Sequence, residues 1–193
     1  MDNLRSFRER LTALMQADDE RPFLCNGDPL TTRAFIVGFN PATTVTGHFW
    51  DYWSDETGFD KKRFMEAYLA VRKLRGARPR IEAIVSELPP GAALETNICS
   101  RPTKRAADLA KADQRTETFK FLFETIKPSL VYVHSNQPIA YMEMVTGGVV
   151  ASSIPQSAEW LGHQFLLCGR GGPLWRTSIA EAQAEGGRMS EHV

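Results

Sequence analysis

The stretch AFIVGFNPATT, residues 34–44, decides how the chain reads. Ala34 to Val37 form a short apolar run, which suits a strand buried on both faces. The run stops at Gly38, and Asn40-Pro41 follows two positions later. Pro41 has a fixed φ and biases Asn40 toward extended backbone, which pins where the amide points. A buried strand that delivers an amide to a sharp turn suits a site at the strand's carboxyl end. Asn and Pro are also ordinary turn formers, and on spacing alone a plain turn is the commoner reading of the pair.

Outward from this strand, helical and extended patterns alternate. Leu4, Phe7, Leu11, Leu14 and Met15 give helical spacing over residues 3–17, ended by Arg21-Pro22. Asn26-Gly27-Asp28-Pro29 is turn chemistry. After the strand at 33–39 comes a long loop over 42–60, then helices over 60–75 and roughly 79–87. Leu94 to Cys99 reads as a strand, 113–126 as an amphipathic helix, and Ser129 to His134 as a third strand. A helix over Pro138 to Val145, a strand from Gln164 to Cys168 and a helix from Trp175 to Glu185 complete the series. The Gly-rich tail from Glu185 onward reads as loose. Such alternation predicts an α/β fold with a parallel sheet covered on both faces. Ligands then bind beyond the carboxyl ends of the strands. Three such ends carry polar residues: Asn40, Asn97 and the Gly169–Pro173 loop.

Composition sets bounds. The 193 residues are uniform and suit a single domain over 1–193. Twenty-three acidic residues balance 23 basic ones, so any attraction to nucleic acid must be local. The charged start, MDNLRSFRERL, lacks the apolar core of a signal peptide, and no run approaches the roughly 18 apolar residues of a membrane helix. A soluble cytoplasmic protein without membrane partners is the expectation. Cys25, Cys99 and Cys168 stand far apart, against a disulfide framework or a Cys-rich metal site. There is no P-loop, no G-x-G-x-x-G and no G-x-S-x-G. No cofactor and no metal are expected.

The candidate residues divide by chemistry. An amide has no useful proton affinity, so Asn40 is no general base; it can orient a water or read a base edge. Asn97, in LETNICSRPTKR, stands beside Arg101, Lys104 and Arg105, a patch suited to phosphate contacts, or to a solvated loop. Arg170 and Arg176 flank a further basic segment. His48, Phe49, Trp50, Tyr52 and Trp53 crowd the loop after the first strand. Trp50 and Trp53 read as core, and Phe49 as a ring able to stack on a flipped base. His134 ends the third strand, near the expected site, whereas His163 precedes a strand and belongs to the opposite edge.

GFNPA, residues 38–42, resembles the first motif of the uracil-DNA glycosylase superfamily, a G-x-N-P or G-x-D-P turn after the first core strand. Residues 94–142 are similar to its middle part: a T-N strand end, an R-P loop, a helix, a P-x-L-V strand and a further helix. The resemblance covers most of residues 33–180. It implies a three-layer α/β/α sandwich around a four-stranded parallel sheet. It also implies hydrolysis of the N-glycosidic bond to a flipped base in DNA; the strand state of that DNA, single or double, is open, and apart from the resemblance a monomer is the expectation. On that analogy Asn40 positions the attacking water, Asn97 hydrogen-bonds the base edge and Phe49 stacks on the base. Gly38, Phe39, Pro41 and His134 adjoin the base, while Arg101, Lys104, Arg105, Gly171 and Arg176 contact the DNA backbone. The chain departs from the family in four places. No His follows the fourth strand, where CGRGGPLWR stands; Ala42 replaces a usual Gly; His134-Ser135-Asn136 stands where a Gly is typical; and the cluster-binding cysteines are missing. Arg170, or the N–H groups of Gly169, Gly171 and Gly172, is then left to stabilise the departing base anion. An altered pocket suits a modified pyrimidine as well as uracil. Two other readings stay open: a silent nucleic-acid-binding module of the same fold, and a binder of nucleotides or phosphate esters using Thr43, Thr44 and Thr46.

Overall fold

The computed structural model describes residues 3–42, 45, 47–150 and 154–193. Its helices are α1 (Leu4–Leu14), α2 (Lys61–Val71), α3 (Arg78–Ser86), α4 (Glu117–Ile126), α5 (Asn136–Thr146) and α6 (Ile179–Ser190). Its strands are β1 (Phe23–Cys25), β2 (Ala34–Gly38), β3 (Trp53–Ser54), β4 (Gly58–Phe59), β5 (Ala93–Asn97), β6 (Leu130–His134), β7 (Gln156–Trp160) and β8 (His163–Arg170). Six strands form the central sheet in the order β1-β5-β2-β6-β8-β7; β3 and β4 make a separate small ribbon.

The four strands expected from the sequence, β5, β2, β6 and β8, run parallel in the middle of the sheet. The sheet itself is wider than the four strands expected. Antiparallel β1 and β7 close its two edges. Both escape pattern reading for physical reasons. Only three residues make β1, too few to show a period. β7 is a polar, largely exposed edge strand without an apolar run. It reaches β8 through Leu161-Gly162, both in the left-handed region, as a two-residue hairpin turn requires.

Side chains alternate across β2 into two core clusters. Phe35 and Val37 join Phe7 and Leu11 of α1 and Phe119, Leu122 and Phe123 of α4. Ala34 and Ile36 join Ile81 and Ile84 of α3 and Ala182 and Met189 of α6. The loose tail expected from Glu185 is not found: α6 continues to Ser190, with Glu185, Gly186 and Met189 buried. Gly186 is there for closeness, since a Cβ would lie 2.4 Å from the Ile84 carbonyl oxygen. Glycine weakens a helix in isolation, but here it lets two helices meet.

Candidate functional site

At the carboxyl ends of β2, β5 and β6 lies a cavity of about 140 Å³. Asn40, Pro41, Asn97 and His134 form its sheet side; Tyr68, Arg72, Arg75, Arg78 and Ile81 close it from α2, α3 and their connection; Arg21, Phe23 and Leu24 wall it from β1 and the residues just before. It sits where the two core clusters meet, drawing Phe23 and Tyr68 from one and Ile36 and Ile81 from the other.

Asn40 is held by the loop after β5. Ile98, Cys99 and Thr103 each donate a backbone N–H to Gly38, Phe39 and Pro41, at 2.9 Å in every case. The Asn40 Nδ2 donates to Thr103 Oγ1 at 2.7 Å. This leaves the carbonyl oxygen Oδ1 with no donor among the described residues, free to accept from a water. The R-P-T segment thus fixes the amide that the first turn presents.

Gly38 sets the next layer. It pairs with Asn97 across β2 and β5. A Cβ at Gly38 would lie 2.6 Å from Asn97 Oδ1 and 3.2 Å from His134 Nε2 and Cε1. Only glycine lets these two side chains approach each other over the sheet. His134 is buried. Burial, aided by the Arg78 charge and opposed by Glu95, pushes its pKa down to about 4. At neutral pH its ring is uncharged, able to donate from one nitrogen and accept at the other. Ser135, the next residue, has φ 80° and ψ 158°, a region favoured by glycine and costly for other residues. The chain is strained directly beside the imidazole, where the resemblance leads one to expect a Gly.

Beneath the amides lies a buried ionic quartet. Glu95, in the middle of β5, is 6% exposed. It pairs with Arg78, and with Lys61 at 2.7 Å. Glu82 receives the same two cations, at 2.9 Å from Arg78 and 3.0 Å from Lys61. Burial works to raise the Glu95 pKa, but the charges and hydrogen bonds of Arg78 and Lys61 outweigh it and bring it to about 2. The signal in the sequence was a charged residue inside an otherwise buried strand, LETN.

The remaining candidates fall elsewhere. Phe49 is 5% exposed, with its ring stacked on Phe59 at 5.1 Å and edge-on to Phe23 at the same distance. The ring expected to stack on a base is therefore part of the aromatic core and does not line the cavity. Phe39 also packs against that cluster. Arg170 ends β8 opposite His134 but is held by buried Glu185 at 2.7 Å, which also accepts from the Tyr132 hydroxyl. Its expected contact with a leaving group gives way to a structural tie between β8 and α6. Gly169 lies inside β8, where a Cβ would lie 2.6 Å from Val133 Cγ2; it serves packing rather than ligand approach. The Gly172 N–H donates to Asn136 Oδ1, and Gly171 is exposed beside it. Arg101 pairs with Asp19 and Arg105 with Asp108, while Lys104 and Arg176 are exposed. His163 lies at the amino end of β8, bonded to the Pro128 carbonyl, as its position in the sequence implied. Thr43, Thr44 and Thr46 lie outside the described residues.

Among the described residues no cluster of three His, Cys, Asp or Glu side chains is placed to hold a metal ion, and no helix is long and apolar enough to cross a membrane. No protein-family model matches the chain, and no curated protein matches it.

Proposed function

We propose that the protein is a divergent relative of the uracil-DNA glycosylases that excises uracil or a modified pyrimidine from DNA. One observation carries this reading: Asn40, Asn97 and His134, from three adjacent strand ends, open into one cavity. The two core clusters, one on each side of the sheet, are consistent with the three-layer sandwich of that family. At about 140 Å³ the cavity is well below the roughly 300–1,000 Å³ of pockets for drug-sized ligands, which suits one base ring with its sugar and phosphate held at the cavity's margin.

In this reading a flipped base enters the cavity edge-first. Asn97 reads its edge through both halves of the amide. The neutral His134 donates to a base oxygen, supplying from β6 the hydrogen bond absent after β8. Asn40 Oδ1 holds a water against C1′ of the sugar. The bond from C1′ to the base nitrogen breaks, and its electron pair leaves with the base. The water oxygen bonds to C1′ and releases its proton to solvent, and the base anion takes one up. Asn40 positions and does not deprotonate, because the oxocarbenium-like carbon needs only a weak nucleophile. Stabilising the departing anion by fixed donors is the larger electrostatic contribution.

The test is a cleavage panel. Labelled single- and double-stranded oligonucleotides carry uracil, thymine opposite guanine, or modified pyrimidines; alkali then breaks each abasic site. The expected result is a break at one base type that Asn40→Ala loses by at least ~100-fold, equivalent to about 2.7 kcal/mol of barrier. No break with any substrate overturns the reading.

A further inference from the structure

The cavity is more cationic than base recognition requires. Four arginines and one glutamate line it. The glutamate, Glu95, belongs with Arg78 to the quartet completed by Lys61 and Glu82, where two cations face two carboxylates. Three further arginines, Arg21, Arg72 and Arg75, line the same cavity. Arg72 donates to the Ala42 carbonyl, a neutral acceptor, at 2.7 Å, and Arg75 is exposed. Arg21 differs from both. Its Nη1 is buried and has no hydrogen-bond partner among the described residues. The guanidinium carbon lies 5.5 Å from the centre of the Phe64 ring, and no carboxylate pairs with it among the described residues. A buried donor left unmade costs free energy, and an unpaired buried charge costs more.

We propose that Arg21 forms an oxyanion subsite in the wall of this cavity, receiving a phosphate or carboxylate group of the occupying molecule. Planar guanidinium groups match such oxyanions through paired N–H donors. The charge persists at neutral pH: burial and the neighbouring Arg78 lower the Arg21 pKa only to about 10. Arg72 and Arg78 line the same cavity, and Glu95 offsets part of their repulsion of Arg21. Position supports the same assignment. The backbone N–H of Arg21 is tied to Ser100 at 2.9 Å, next to the loop that holds Asn40. The subsite thus adjoins the amide that faces the reacting carbon in the proposed chemistry, but it needs no chemistry to be real.

The experiment is thermal unfolding of the full chain with increasing inorganic phosphate at constant ionic strength, for wild type, Arg21→Gln and Arg21→Lys. Phosphate also stabilises proteins non-specifically, and the variants report that background. The expectation has two parts. Without phosphate, Arg21→Gln melts above wild type, because an unpaired buried cation has been removed. With phosphate, wild type gains a saturable increase in Tm that Arg21→Gln lacks and Arg21→Lys keeps in part. A variant that melts below wild type without phosphate and shows the same phosphate response makes Arg21 a structural residue and overturns the proposal. If Arg21→Gln does not fold, direct titration of wild type with phosphate, followed by calorimetry, decides; absence of saturable binding overturns it.

The source of the anion is separated by competition. If the subsite takes a DNA backbone phosphate, phosphate displaces an oligonucleotide from wild type and Arg21→Gln weakens that binding at least ~10-fold. If it takes an acidic group on a small ligand, thymidine 5′-monophosphate binds at least ~10-fold tighter than thymidine while oligonucleotide binding is unmoved. Base release is not read in either arm, so a failure here leaves the cleavage panel to be judged separately.

Discussion

The two sides of the central sheet are built from the same strands and hold different things. Toward α1 and α4 the core is apolar and aromatic: Phe123 alone meets Phe35, Trp160, His163 and Phe165. Toward α3 and α6 the same strands place Glu95, Tyr132 and His134, and those helices answer with Arg78, Glu82 and Glu185. One side gains its stability from area removed from water. The other commits part of its interior to charge, which rarely outperforms apolar packing in stability. The lesson is where to look for chemistry: polar groups are concentrated beneath and beside the cavity, on the side that forgoes some packing.

The contrast can be broken most severely from either side. Phe123→Ala should cost about 3–5 kcal/mol through lost burial and the cavity left behind. Glu95→Ala should cost about 3 kcal/mol for a different reason, since it removes the more deeply buried of the two carboxylates that Arg78 and Lys61 share and leaves them only the half-buried Glu82. Acid titration of denaturant stability separates them. Glu95 is depressed to about 2 from 4.5, so its contribution is present above pH 4.5 and lost as pH falls toward 2. Phe123→Ala should keep that acid loss, and Glu95→Ala should lack it.

His134 sharpens the contrast near neutrality. Its pKa falls from 6.5 to about 4 on folding, so between those values the unfolded chain binds the extra proton. Stability should be full above pH 6.5 and decline by up to roughly 3 kcal/mol as pH drops to 4. His134→Gln should flatten that window. In the proposed reaction, base release should show no inflection at pH 6.5, because the His134 ring is already neutral there.

Smaller effects test the edges. Arg170→Ala should cost about 1–2 kcal/mol, since Glu185 keeps the Tyr132 hydroxyl and the lost guanidinium was partly solvated. In the proposed reaction, excision by this variant should stay within a few-fold of wild type, in line with a tie rather than a contact to the leaving group. Ser135→Gly should raise stability by about 1 kcal/mol by relieving its backbone strain. A fall in excision alongside that gain would mean the strain serves to aim His134.

The parallel strands could be read from sequence because full burial writes apolar runs such as AFIV and LVYV. The sheet's edges could not, being too short in β1 and too polar in β7. Asn40 and His134 were legible because each sits at or just past the end of such a run, and Asn97 because it ends a short strand beside a basic loop. Arg21, Arg78 and Lys61 were not, because arginines and lysines in sequence look alike whether solvated or buried. Phe49 misled for a similar reason: five aromatic or imidazole side chains in six positions do not reveal which one faces a ligand. The length of α6 was obscured by Gly186, which reads as a breaker and acts as a contact.

The order of strands in the sheet has a consequence for the growing chain. β1 pairs only with β5, and β2 lies between β5 and β6. No ladder of the central sheet can therefore close until residue 93 has been synthesised. Arg21, Asn40 and Asn97 meet only after that, and His134 joins them last. A nascent chain emerging residue by residue carries half of these groups long before it carries a pocket. The cationic wall and the amides thus come together in one late event, when the middle of the chain returns to its beginning.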